Sequence, residues 1–94
     1  MNIDFSRRLR VAEDTLIREL DGESVLLSLK TQKYYGLDPV GARMWRVMTT
    51  SDSIHAAYEQ LLQEYDVEAD KLRQDMAELI SRLLEQELLE FAGD

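Results

Sequence analysis

Tyr34-Tyr35-Gly36-Leu37-Asp38-Pro39-Val40-Gly41-Ala42-Arg43-Met44-Trp45 carries the change of residue period on which the fold turns. Up to Leu37 the residues suit a short strand, with Tyr34 and Tyr35 pointing to opposite faces. From Asp38 the pattern is helical. Asp38 suits a helix N-cap, and Pro39 fits the first helical position, where its missing N–H removes no bond. Gly41, Met44, Trp45 and Met48 then fall at spacings of 0, 3, 4 and 7, one face of a helix. Asp38 is the one carboxylate in the stretch, and capping accounts for it.

Upstream of this stretch the signals are those of strands and turns. Thr15–Leu20 reads as a first strand and residues 24–29 as a second. Asp21-Gly22 supplies the turn between them, since glycine tolerates positive φ and aspartate bonds the nearby backbone. In the second strand Val25, Leu27 and Leu29 share one face, with Leu26 on the other. Thr31-Gln32-Lys33 is a polar turn into Tyr34–Leu37. Two short connections predict an antiparallel meander of three strands.

Downstream, three helices are expected. After the first, Asp52 or Ser53 can cap a second with the stripe Ile54, Ala57, Tyr58, Leu61, Leu62 and Tyr65. Asp66-Val67 breaks it. A third runs over about 68–85 with the stripe Leu72, Met76, Leu79, Ile80, Leu83 and Leu84. Leu88, Leu89 and Phe91 extend that helix or form a short terminal strand. A three-stranded sheet needs an apolar partner, so the helices cover one of its faces. The predicted fold class is α+β, in the order three strands and then three helices. Residues 1–13 are expected as an N-terminal arm, and residues 14–92 as a single domain.

Composition narrows the function. The chain has 94 residues, one domain's worth, and no cysteine. Disulfides, thiolate metal sites and cysteine nucleophiles are thereby excluded. No apolar run approaches the ~18 residues of a membrane span, and the start has no signal-type apolar region, so a cytoplasmic protein is expected. The net charge of −8 disfavours general nucleic-acid binding. Arg7, Arg8 and Arg10 cluster near the start, as a solvated arm would.

No catalytic constellation assembles from these residues. His55 is the one histidine, beside the second helix's apolar stripe rather than in it. Zinc catalysis takes three protein ligands, which the chain does not offer in any recognisable pattern. Asp66, Glu68 and Asp70 alternate but lack the glycine of a calcium loop. The four glycines are scattered, so no phosphate-binding loop is present. A non-enzyme without cofactor or metal is expected. Binding is the remaining class: a free strand edge accepts an extended peptide through backbone hydrogen bonds, with side-chain pockets giving selectivity.

Three segments together resemble the PqqD-like family: Gly22-Glu23-Ser24-Val25-Leu26-Leu27, Lys33-Tyr34-Tyr35-Gly36-Leu37-Asp38 and Val40-Gly41-Ala42-Arg43-Met44-Trp45. Leu61-Leu62-Gln63-Glu64-Tyr65-Asp66-Val67 and residues 75–89 look like its C-terminal half, so the resemblance spans residues 16–91. It implies a winged helix-turn-helix-like fold and a recognition element for ribosomally made, modified peptides. The leader of a precursor peptide would add as a strand beside the third strand and pack against the third helix. The partner implied is a modifying enzyme, either a radical SAM enzyme or a leader peptidase. Carried onto this chain, the implied peptide-binding residues are Lys33, Tyr34, Tyr35 and Leu37 on the strand. On the helix they are Lys71, Leu72, Asp75, Met76 and Leu79. Two positions depart from the family's pattern. Met48 is followed by Thr49-Thr50-Ser51-Asp52 in place of Asp-Gly, and Glu87 stands where a glycine commonly ends the third helix.

Two other classes fit the same outline. A winged helix-turn-helix also reads DNA, although the candidate helices carry Glu59, Glu64, Asp70, Asp75 and Glu78 rather than basic residues. A homodimerisation domain is the second, with the sheet edge or third helix pairing with its own copy. The leader-binding reading expects a monomer or weak homodimer that meets neither nucleic acid nor membrane.

Overall fold

The computed structural model of the chain describes residues 3–93. The elements run β1 (Arg8–Val11), β2 (Thr15–Leu20), β3 (Glu23–Ser28), β4 (Tyr34–Leu37), α1 (Pro39–Thr50), α2 (Ile54–Glu64), α3 (Ala69–Glu85) and β5 (Leu89–Ala92). β2, β3 and β4 form an antiparallel sheet in that spatial order. The expected core of three strands followed by three helices is present, framed by one strand before it and one after.

The turns follow their residues. Asp21 (φ 50°) and Gly22 (φ 84°) both take positive φ, as the two-residue turn joining β2 to β3 requires. Between β3 and β4 the loop closes with Gln32 N–H donating to Ser28 O at 2.7 Å, and Gln32 sits at φ 64°. Asp38 caps α1 by accepting from Gly41 N–H at 2.7 Å. A Cβ on residue 41 would lie 3.2 Å from that same Asp38 oxygen, so glycine keeps the cap close. Ser53 caps α2, accepting from Ala56 N–H at 3.0 Å.

Register decides which sheet face meets the helices. Leu26 stands opposite Tyr35 and Ile17, and Ser24 opposite Leu37. Leu26, Leu37, Ser24 and Ser28 are buried, so theirs is the inner face. Val25 and Leu27 lie on the outer face with Leu16 and Tyr34. Among the described residues no layer covers that face, and Leu16 and Tyr34 are exposed. The core beneath the inner face is built from Trp45 and Met48 of α1, Ile54 and Leu61 of α2, and Met76 and Ile80 of α3. Burial of each such side chain contributes about 1.5–3 kcal/mol.

The first residues depart from the expected arm. Arg8–Val11 pairs antiparallel with Leu89–Ala92, and Phe5 and Leu9 are buried in the core. The physical reason lies at the start of α2. Its first N–H groups lack partners within the helix. Ile54 N–H instead donates to Arg7 O at 2.8 Å, and His55 N–H to Phe5 O at 2.8 Å. Phe5 meets Tyr58 edge to face at 6.2 Å, with the Arg73 guanidinium 4.1 Å from the centre of the Phe5 ring. Leu88, Leu89 and Phe91 belong to the terminal strand and its approach, the second of the two expected alternatives.

Both departures from the family pattern have local solutions. At the end of α1 the hydroxyls of Thr49, Thr50 and Ser51 donate back to the carbonyls of Trp45, Arg46 and Val47 at 2.6–2.8 Å. Of these carbonyls, that of Val47 is one of the last four in the helix. At the end of α3, Glu87 takes the left-handed conformation (φ 59°). Leu88 N–H bonds Leu83 O at 2.9 Å and Glu87 N–H bonds Leu84 O at 3.1 Å. This is the paired-bond helix stop that glycine usually makes, completed by the buried Leu83 and Leu88.

Candidate functional site

β4 is an edge of the sheet. Ser28 N–H donates to Lys33 O at 2.9 Å, in the same register that continues to Leu37. Leu29 N–H, one residue on, turns the other way, to Asp14 O at 2.7 Å. In an antiparallel pair the bonded residues alternate. Lys33, Tyr35 and Leu37 therefore bond to β3, and the N–H and C=O groups of Tyr34 and Gly36 point out of the sheet at its free edge. A free edge is a template for another strand.

α3 supplies the facing wall. Lys71, Asp75, Glu78 and Arg82 recur at spacings of 4, 3 and 4, one stripe of the helix. The side chain of Arg82 interacts with the Tyr35 phenol across the gap. That contact, with Glu78 and Glu85 nearby, holds the guanidinium pKa above its ordinary value. At the other end of the stripe Lys71 Nζ is 2.8 Å from Asp75 Oδ1, and this contact raises the Lys71 pKa. The stripe thus places cations at its two ends and carboxylates between them.

Beyond the end of β4, an apolar pocket of about 140 Å³ opens between α1, the α2–α3 connection and the first turns of α3. Val40 and Met44 line one side, Tyr65 and Val67 another, and Leu72 the third, with Lys71 and Asp75 at the rim. Arg43 holds the end of α2 in place beside it. Its Nε and Nη2 donate to the two oxygens of Glu64 at 2.8 and 2.6 Å. With Gln60 also donating, the Glu64 carboxyl is held down at about 2.

The model of the PqqD family, described as coenzyme PQQ synthesis protein D, matches residues 23–89. The chain belongs to the PqqD family. Among solved structures it is similar to TbiB1, solved in complex with the TbiA(beta) leader peptide. The two are 29% identical with a TM-score of 0.80, over 90% of this chain and 99% of that one. It also shares its fold with a lasso peptide synthetase B1 complexed with its leader peptide, at 23% identity and a TM-score of 0.79, over 88% and 98% of the two chains. No curated protein matches its sequence significantly.

Within this PqqD-family domain the residues implied by resemblance fall into three groups. Tyr34 is 76% exposed on the outer face, and Lys33 and Lys71 are exposed. Tyr35, Asp75 and Leu79 are half-buried. Leu37, Leu72 and Met76 are buried in the core, at 4%, 3% and 0% exposure. Leu72 reaches the lining of the apolar pocket, whereas Leu37 and Met76 support the two walls from beneath. The sequence reading did not single out Arg82, Val40, Tyr65 or Val67 for this region. Arg82 had a usable signal, since it lies seven residues beyond Asp75 on the same helical stripe. Val40 and Val67 had none, because the pocket joins three separate elements. His55 lies outside the region, with Nε2 3.4 Å from a Glu59 oxygen.

Among the described residues no cluster of three or more His, Asp or Glu is arranged to hold a metal ion. No helix among them is long and apolar enough to cross a membrane.

Proposed function

We propose that this domain is a non-catalytic recognition element for the leader of a ribosomally synthesised precursor peptide. The leader adds as a strand along β4 and lies against the exposed stripe of α3. The observation that carries the reading is the free edge of β4, where the outward backbone groups of Tyr34 and Gly36 stand beside a second wall and an apolar pocket. Family membership supports it, as does likeness to TbiB1, whose structure contains a leader peptide.

On this reading each part has a task. Backbone pairing with Tyr34 and Gly36 gives affinity that does not depend on sequence. Lys33, Tyr34 and Tyr35 flank the added strand. Lys71, Asp75 and Leu79 meet its side chains from the helix, and the pocket lined by Val40 and Leu72 takes an apolar one. Leu37 and Met76 act through packing. The partner reached through the bound leader is a modifying enzyme, either a radical SAM protein or a leader peptidase, and the setting is cytoplasmic.

The test is a titration of fluorescently labelled leaders from short precursor peptides found in this protein's gene neighbourhood. Saturable binding with a Kd below about 50 μM is the expected result. A folded domain that shows no saturation in that range contradicts the proposal.

A further inference from the structure

Gly36 has no use in the isolated domain. Its φ is not positive, and a Cβ built on it meets nothing within 4 Å. Neither a turn nor close packing accounts for it. A glycine inside a strand weakens that strand, through entropy and the missing side chain. Such a residue also marks a place where another chain approaches closely.

Its position is specific. Gly36 stands opposite Val25 on the uncovered outer face, and its own backbone groups point to the free edge. Tyr34, on the same face two residues earlier, is 76% exposed. The missing side chain therefore leaves a notch on that face, bounded by Tyr34 and by the half-buried Val25.

We infer that Gly36 is a specificity-determining residue, and that the notch above it takes a large flat side chain of the added peptide strand. This inference rests on the proposed function and extends it to one position of the leader. The peptide residue directly opposite Gly36 is aromatic or long and aliphatic. It projects to the outer face and lies over the glycine, as cross-strand aromatic residues cover glycines at sheet edges. A β-branched residue at 36 would fill the notch and keep that side chain from lying flat over the strand, while the backbone pairing stayed available. The selectivity belongs to the face away from α3 and is separate from that of the apolar pocket.

Selection of a random dodecapeptide phage library on the full chain and on Gly36→Val tests the inference. Thermal melts of Gly36→Val and Gly36→Ala come first, and both are expected to unfold at or above the wild-type temperature, since the new atoms meet open space. Wild type is expected to enrich peptides with a large aromatic or aliphatic residue at one fixed position. Gly36→Val is expected to enrich peptides with a small residue there. Across that pair, a synthetic wild-type-selected peptide should bind Gly36→Val at least tenfold more weakly. Its alanine variant at the fixed position should bind both proteins equally. Identical enrichment on the two proteins, with binding intact, overturns the role of Gly36 alone. No enrichment on wild type overturns the peptide-edge reading, and the Gly36 inference with it.

Discussion

The side chain of Arg82 on α3 interacts with the Tyr35 phenol of β4, across the gap that separates helix from strand, and this holds the guanidinium pKa above its ordinary value. Tyr35 is half-buried and packs against the core. Replacing Arg82 by Ala, or Tyr35 by Phe, is expected to leave the melting temperature nearly unchanged and to weaken leader binding by about three- to tenfold. The double variant should be no weaker than either single one. Additive losses in a fluorescence titration would mean that the two residues act separately.

The two adjacent tyrosines should behave differently. Tyr34→Ala removes an exposed ring, so its stability should stay within about 0.5 kcal/mol of wild type. Its leader affinity should fall about tenfold or more, as for an aromatic contact anchor. Tyr35→Ala removes a half-buried ring from the inner face and should cost about 2 kcal/mol in urea denaturation. Equal losses of stability for the two would contradict the register of β4.

The first strand should be indispensable. Leu9 is 1% exposed and pairs with Phe91 across the β1–β5 ribbon. Leu9→Ala should cost about 2–4 kcal/mol. Deleting residues 1–11 also removes the carbonyls that receive the first N–H groups of α2, and should abolish a cooperative thermal transition. A truncated domain that melts like the full chain would restore the view of this segment as a loose arm.

At the end of α3 the expected change is a gain. Glu87 occupies a left-handed position that disfavours side chains, and its ion pair with Lys30 at 3.0 Å is exposed. Glu87→Gly should raise stability by about 0.5–1 kcal/mol, measured by urea denaturation. A loss would mean that the exposed pair outweighs the backbone strain.

Acid should act through Glu64. Arg43 and Gln60 hold its carboxyl at about 2, below the ordinary glutamate value of 4.5. A depressed pKa stabilises the fold above the unfolded value, and that contribution is lost as pH falls through the folded one. Urea midpoints of the wild type should therefore decline between about pH 4.5 and 2, and Glu64→Gln should show a shallower decline. Identical pH profiles would leave the ion pair without an energetic role.

Most of the fold was legible because its signals are local. Asp21-Gly22, Asp38-Pro39 and Ser53 each state a turn or cap within a few residues, and the helical stripes repeat over several turns. The β1–β5 ribbon was hidden because it joins residues 80 apart, such as Arg10 and Glu90, and because its anchor is the backbone of Phe5 and Arg7. The alternation of Tyr34 and Tyr35 was legible, but not its sign. Hydrophobicity alone favours the face of Val25 and Leu27 as the inner one. The helices cover the face of Leu26 instead, where Ser24 and Ser28 let the layers approach. Arg82 and the Val40 pocket depend on the placement of α3 against β4, which no local pattern records.

Amide hydrogen exchange, residue by residue, tests the strand-addition claim most directly. Tyr35 and Leu37 donate within the sheet and should be protected in the free domain. Tyr34 and Gly36 should exchange fast when free and become protected on saturation with the leader peptide, while Ile17 on the opposite edge stays unchanged. Binding that leaves Tyr34 and Gly36 fast, or that protects Ile17 instead, would contradict the account.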